Sequence, residues 1–314
     1  MTKTTKVALA LALLAPAPVF ATGIEFKAPT AYPEGIAYNQ KTSEFFVSSM
    51  RHGTVGVVKD GKYKPFAKDP QLVSSVGMHA DPERGRLLVC VSDPGVSEKT
   101  SPKTQKKLAR LMAFDLKTGK RKSSVDLNPL APEGEHFCND IAIDADGNAY
   151  ATDSFSPIVY KVDTAFRASV FLKDDKLKGQ GFGLNGLVHH KDGFLIVAKS
   201  DDGTLWKINE KGAPVAEEIK VSEKLVNADG LVMSPAGDLI VVQNGETHRA
   251  ARVKSTDGWK TAKVDKTVAL EAAYPTTAVY AGDKLYVNLS HLNELFADPK
   301  KAKTDSFTLT EVQF

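Results

Sequence analysis

The sequence has 314 residues, 42% hydrophobic and 25% charged, with 41 Lys and Arg against 38 Asp and Glu. That is ordinary globular composition, long enough for one large domain or two smaller ones. The near-zero charge balance argues against a nucleic-acid surface, and neither of the two cysteines sits in a metal-binding spacing.

The chain opens with a segment that reads as a secretory signal peptide, residues 1–21. Lys3 and Lys6 form a basic start, Val7 to Leu14 an apolar run, and Val19-Phe20-Ala21 a small-residue cleavage site after Ala21. The run is too short to span a membrane, and Pro16 and Pro18 interrupt it. No later segment could span one. Cleavage removes two lysines and no acids, so the net charge falls from +3 to +1. The mature protein is expected to be periplasmic or secreted.

From Gly23 to Ala28 the sequence predicts a strand. Then a pattern recurs: a short strand, a turn that usually holds Gly, and a second strand. It appears as PEGIAYNQKTSEFFVSS from Pro33, SVGMHADPERGRLLVCVSD from Ser75 and CNDIAIDADGNAYATDS from Cys138. It appears again as LNGLVHHKDGFLIVAKS from Leu184, ADGLVMSPAGDLIVVQN from Ala228 and PTTAVYAGDKLYVNLSH from Pro275. One or two further strand-like runs follow most copies, such as Ile158 to Val162 and Ser169 to Leu172.

The residue before each first strand is Glu34, Val76, Asn139, Asn185, Asp229 or Thr276, at intervals of 42, 63, 46, 44 and 47. Four of these intervals are close to the ~40–45 residues of a four-stranded propeller blade. The long one holds a polar, Lys-rich insertion at about Pro94 to Arg110, read as a lid or a solvated loop. The expectation is all-β: a six-bladed β-propeller of four-stranded blades over residues 22–314. The 23–28 strand would close the ring beside the last strand, Phe307 to Phe314. A β-sandwich does not explain the period, and no amphipathic helices separate the strands as an α/β fold requires.

First strands line the channel of a propeller, so their starts converge at one end of it. Four of the six converging residues carry side-chain oxygens: Glu34, Asn139, Asn185 and Asp229. Two acids in a narrow channel repel and lose water. A hard divalent cation removes that cost, and carboxylates with Asn carbonyls are its ligand set. The competing reading makes each Asn-Asp, Asn-Gly or Asp-Gly a strand-entry turn. Four such groups at one repeat phase favour the metal.

These residues, Pro33-Glu34-Gly35, Asn139-Asp140, Asn185-Gly186-Leu187 and Asp229-Gly230 in this order on a propeller repeat, resemble the gluconolactonase, regucalcin and luciferin-regenerating-enzyme family over nearly the whole mature chain. The resemblance implies that Glu34, Asn139, Asn185 and Asp229 hold one divalent ion. Calcium is expected first, with Mg²⁺, Mn²⁺ or Zn²⁺ as alternatives. It further implies a metal-dependent hydrolase acting on a lactone or related ester, with Asp229 as general base. Sugar-lactone hydrolases of this family commonly carry Arg two residues before the Asn. Here that residue is Phe137, which cannot hydrogen-bond a polyol, so a more apolar lactone or ester is expected.

The second-strand ends, among them Lys199-Ser200, Gln243-Asn244 and Ser290-His291, are expected to form a polar ring on the same face. His291 is a candidate acid/base or second-metal ligand, or a hydrogen-bonded structural His. Lys199 could hold an anionic substrate or pair with Asp201. Phe137, Phe155, Phe182 and Tyr274 could form apolar walls or core. Cys90 and Cys138 lie near the same rim in neighbouring blades and could bridge if their Cα atoms come within ~7 Å. No G-x-S-x-G, H-E-x-x-H, P-loop or dinucleotide fingerprint is present. The expected partner is a small-molecule substrate, with no nucleic acid and no membrane span, on a monomer. Two other functions fit the same residues: a non-catalytic propeller with structural calcium that binds a small ligand or a partner protein on its cup face, and a phosphotriesterase-like hydrolase.

Overall fold

The computed structural model describes residues 23–314. The signal peptide assigned to residues 1–21 lies outside the described residues. Short strands dominate, because β-branched and aromatic runs alternate with glycine turns. Leu239–Gln243, LIVVQ, is buried along its whole length, as expected of a strand covered on both faces. The turns between first and second strands use left-handed glycines such as Gly147 (φ 90°) and Gly193 (φ 81°), where a Cβ would be strained.

Four sheets have four strands each. Three run in chain order, from Ile36–Asn39 through Lys62–Lys68, from Ser74–Asp81 through Arg121–Asp126, and from Cys138–Ile143 through Ala168–Lys173. The fourth joins the chain ends, in the order Ile24–Lys27, Ser306–Val312, Lys284–Leu289, Pro275–Ala281. The remaining sheet has eight strands. It holds two antiparallel ladders, Leu184–His190 through Ala216–Val221 and Ala228–Met233 through Thr261–Ala269. Their outermost strands pair in parallel at Lys220↔Thr261 and Val221↔Ala262. Six separate sheets were expected. The difference arises because the nine-residue strand Thr261–Ala269 runs on past its own ladder and satisfies edge N–H and C=O groups of its neighbour.

The first strands, from Ile36–Asn39 to Pro275–Ala281, neighbour one another in chain order, and the last returns to the first. The fold is all-β and propeller-like. The N-terminal strand lies where the sequence placed it, with Ile24 opposite Leu309 and Phe26 opposite Phe307. Phe26 and Phe307 are each 1% exposed, and burying each ring contributes roughly 1.5–3 kcal/mol.

The insertion is turn-rich and ends at Leu108, since Arg110 belongs to the strand Ala109–Asp115. Asp93 gathers it: Gly95 N and Thr100 Oγ1 donate to Oδ1 at 2.9 and 2.6 Å, and Thr104 Oγ1 to Oδ2 at 2.7 Å. Cys90 and Cys138 form a disulfide with Cα atoms 5.3 Å apart. It ties the strand Arg86–Ser92 to the start of Cys138–Ile143. Among the described residues no helix is long and apolar enough to cross a membrane.

Candidate functional site

Five of the first strands carry a register shift just after they begin. The shifts fall between Ser75/Met78, Cys138/Ile141, Leu184/Leu187, Ala228/Leu231 and Pro275/Ala278. A bulge bends the strand and re-aims a side chain. The bulged pairs are Val76-Gly77, Asn139-Asp140, Asn185-Gly186, Asp229-Gly230 and Thr276-Thr277. At Gly77 a Cβ would strike the Asn139 carbonyl, and at Gly186 the Asp229 carbonyl. The glycine therefore lets the next strand's backbone approach, while the residue before it is turned toward the channel end.

Glu34, Asn139, Asn185 and Asp229 all line one cavity of about 240 Å³. They are buried, at 7%, 3%, 7% and 5% exposure, and form its floor. Residues at the second-strand ends fix their orientation. Ser48 Oγ accepts from the backbone N–H groups of Glu34 and Gly35 at 3.0 and 2.8 Å. Asn139 Nδ2 donates to Ser154 Oγ at 2.8 Å, which turns Oδ1 the other way. Asn244 Nδ2 donates to Asp229 Oδ2 at 2.5 Å.

The electrostatics are those of an uncompensated acid cluster. Burial, followed by repulsion from Asp229 and Asp140, pushes the Glu34 carboxyl well above its usual range. Burial, followed by repulsion from Asp140, raises Asp229 to about 7, although the amides of Asn185 and Asn244 pull the other way. Asp140 is likewise pushed up to about 7 by burial. Burial, with these carboxylates adding to it, keeps the Tyr274 phenol protonated, at about 12.

Two buried oxygens here, Glu34 Oε2 and Asn185 Oδ1, have no hydrogen-bond partner. Unpaired buried acceptors are costly and call for a cation or a donor. With the Asp229 carboxylate and Asn139 Oδ1 they make an all-oxygen donor set that fits a hard divalent ion. Among the described residues no cluster of three or more His, Cys, Asp or Glu could hold a metal. The set here is two carboxylates and two amides.

Other expectations resolve differently. His291 does not line the cavity. It stands at the start of the helix Leu292–Ala297 with φ 53°, its Nδ1 3.4 Å from Glu294 Oε1 and its ring edge-on to Phe307. Lys199 Nζ contacts Asp202 at 2.7 Å and Asp201 at 3.6 Å. Of the second-strand-end residues, only Ser200 and Asn244 reach the cavity. Asp153 is fully buried and holds the backbone N–H groups of Phe137 and Phe155 at 2.8 and 3.2 Å. Phe137, Phe182 and Tyr274 do form wall, whereas Phe155 packs behind Phe137 at 5.3 Å. The insertion contributes nothing to the lining and packs on the rim, where Lys106 O accepts from His136 N.

Sequence reasoning missed Asp140, Asp201 and Phe296. Asp140 occupies the position that is glycine in four other copies, a departure visible when the repeats are aligned. It points into the channel, where a second cavity of about 380 Å³ is lined by apolar first-strand residues such as Ile36, Met78 and Leu231. Asp140 is the one carboxylate among the described residues lining it, and none of Glu34, Asn139, Asn185 and Asp229 reaches it.

The family profile described as SMP-30/Gluconolactonase/LRE-like region matches residues 32–291, and the chain belongs to that family. No curated protein matches the sequence. The fold is similar to the major Malassezia sympodialis allergen Mala s 1, with TM-score 0.76, 18% identity and coverage of 93% of this chain and 96% of the allergen. It is similar to a luciferin-regenerating enzyme, with TM-score 0.61, 14% identity and coverage of 93% and 98%. It is also similar to a gluconolactonase of Xanthomonas campestris, with TM-score 0.61, 13% identity and coverage of 92% and 88%.

Proposed function

We propose that this member of the SMP-30/gluconolactonase/LRE-like family is an exported, calcium-dependent hydrolase of a lactone or related ester. The observation that carries the reading is the floor of the small cavity: two acids and two amides, with Glu34 Oε2 and Asn185 Oδ1 buried and unpartnered. We read the eight-stranded sheet as two blades joined at their outer edges, which makes the ring six-bladed. Glu34, Asn139, Asn185 and Asp229 would hold the ion. When bound, such an ion polarises a carbonyl and stabilises the charge that develops on its oxygen.

The protein's own groups supply the rest. Asp229 takes a proton from the attacking water, and the amides of Asn244 and Asn185 hold its carboxylate in place. The bulge at Asn139 and the hydrogen bond to Ser154 keep that amide oxygen fixed before substrate arrives. Phe137 and Phe182 give the cavity an apolar wall beside that floor.

The test uses mature protein stripped with chelator. Hydrolysis of lactones, an aryl ester and a phosphotriester is followed as calcium is restored, with Asp229→Asn alongside. Lactone or ester hydrolysis should return with calcium and be lost in the variant. Calcium binding without turnover of any substrate would refute the hydrolase, and no calcium binding would refute the metal site.

A further inference from the structure

The cavity walls differ sharply in character. Phe182 and Phe296 are the only phenylalanines among the exposed large apolar side chains of the described residues, each 37% exposed, and both line this cavity. Their rings lie 6.0 Å apart, and Phe182 continues edge-on to Phe137 at 5.3 Å. Phe296 comes from the helix Leu292–Ala297, far in sequence from Phe182. Half-exposed rings brought together at the mouth of a polar-floored cavity are surface kept out of the core at a cost. An apolar ligand arm would cover them.

The charges narrow the ligand further. Among the described residues, no Lys, Arg or His lines the cavity, while Glu34, Asp201 and Asp229 do. Asp201 Oδ1 is itself buried without a hydrogen-bond partner, its nearest cation Lys199 Nζ at 3.6 Å. With an ion on the floor its two charges are matched by Glu34 and Asp229, so a carboxylate or phosphate on the substrate's arm, held away from the ion and beside Asp201, would meet an acid and no lining cation. A volume of about 240 Å³ lies below the ~300–1,000 Å³ of drug-sized sites, so the ligand is small.

We infer that the substrate is a small, uncharged lactone or ester whose aryl or short alkyl arm lies on Phe182 and Phe296, and that these two rings set the preference over polyol and anionic lactones. The inference rests on the hydrolase reading for the reacting group but not for the arm.

The experiment compares dihydrocoumarin with glucono-δ-lactone as substrates in calcium buffer, using wild type, Phe182→Ala and Phe296→Ala. In parallel, calorimetry follows binding of 3,4-dihydroquinolin-2-one, the uncleavable lactam of the aryl lactone, and of its carboxylate-bearing derivative. Thermal melts confirm that both variants fold. Wild type should prefer the aryl lactone at least tenfold in kcat/KM. Each substitution should cut that preference roughly threefold to tenfold, mainly through KM, and weaken the lactam to match. The carboxylate derivative should bind at least tenfold more weakly than the neutral lactam.

Preference for glucono-δ-lactone overturns the inference while leaving a hydrolase. Lactam binding unchanged in both variants, or a carboxylate derivative that binds as well as the neutral lactam, overturns it too. Lactam binding that depends on both rings, with no lactone hydrolysed, supports the ligand class and refutes the hydrolase.

Discussion

Replacing Asp229 by Asn should stabilise the metal-free protein at alkaline pH, although it destroys the candidate metal site. The Asp229 carboxyl sits at about 7 in the fold against 3.8 for the free group. A carboxyl raised in the folded state binds its proton more tightly there than in the unfolded chain. Its contribution to stability is therefore complete below about pH 4 and is lost as pH climbs through 7. Moving the carboxyl from 3.8 to about 7, at ~1.36 kcal/mol per pH unit, amounts to roughly 4 kcal/mol by pH 8, more than half of it falling between pH 5 and 8. The Asn variant has no such group to ionise. Denaturant titrations of chelated wild type and variant at pH 4, 6 and 8 should show a gap that opens with pH and favours the variant by a few kcal/mol at pH 8. Calcium should narrow that gap at pH 8, because at a hundredfold excess over its Kd a bound ion adds about 2.7 kcal/mol to wild type alone. The reasoning is refuted if the chelated variant is less stable than wild type at pH 8, or if the gap is the same at pH 4.

Calcium binding near pH 6.5 should release protons, since Asp229, raised to about 7, is mostly protonated there without the ion and Glu34 is shifted in the same direction. Calorimetry in two buffers of different ionisation enthalpy reads the number, and a value of zero would contradict the raised carboxyls. Asn185→Ala should weaken calcium by about tenfold or more, because it removes an oxygen that nothing else in the fold uses; a calcium-indicator titration gives the affinity. Replacing both Cys90 and Cys138 by Ala should cost up to about 4 kcal/mol of unfolding free energy, the chain-entropy value for a bridge over 48 residues. The same pair should lower calcium affinity, since Cys138 adjoins Asn139; unchanged affinity would show that the bulge is held without the bridge. Phe26→Ala should cost roughly 3–5 kcal/mol by denaturation, and a cost below 1 kcal/mol would mean that the N-terminal strand is dispensable.

The repeat was readable because four of the six copies begin with the same physical device, a side chain turned toward the channel followed by a glycine under the next backbone. That device recurs at a fixed phase, so the four floor residues could be placed together from spacing alone. His291 stands apart from the cavity for the converse reason, in keeping with the structural reading of that residue. It ends a second strand, as Asn244 does, but its left-handed backbone starts a helix that carries the ring onto Glu294 and Phe307. Phe296 lies on that helix, between Lys284–Leu289 and Ser306–Val312, where no other copy has an equivalent and the repeat carries no information. The parallel contact at Lys220↔Thr261 joins two outer edges through only two residue pairs, and nothing in the local pattern marks an edge as shared. Asp140 is the most instructive case. The repeat puts glycine there to admit a neighbouring backbone, so a carboxylate in that position must be accommodated at some cost, and its raised pKa measures part of it. Asp140 also raises both Glu34 and Asp229. A third acid beneath the floor makes the empty-handed cluster worse and the pull on a cation stronger. The copy that puts an acid in the glycine position thus intensifies the property that the other copies establish.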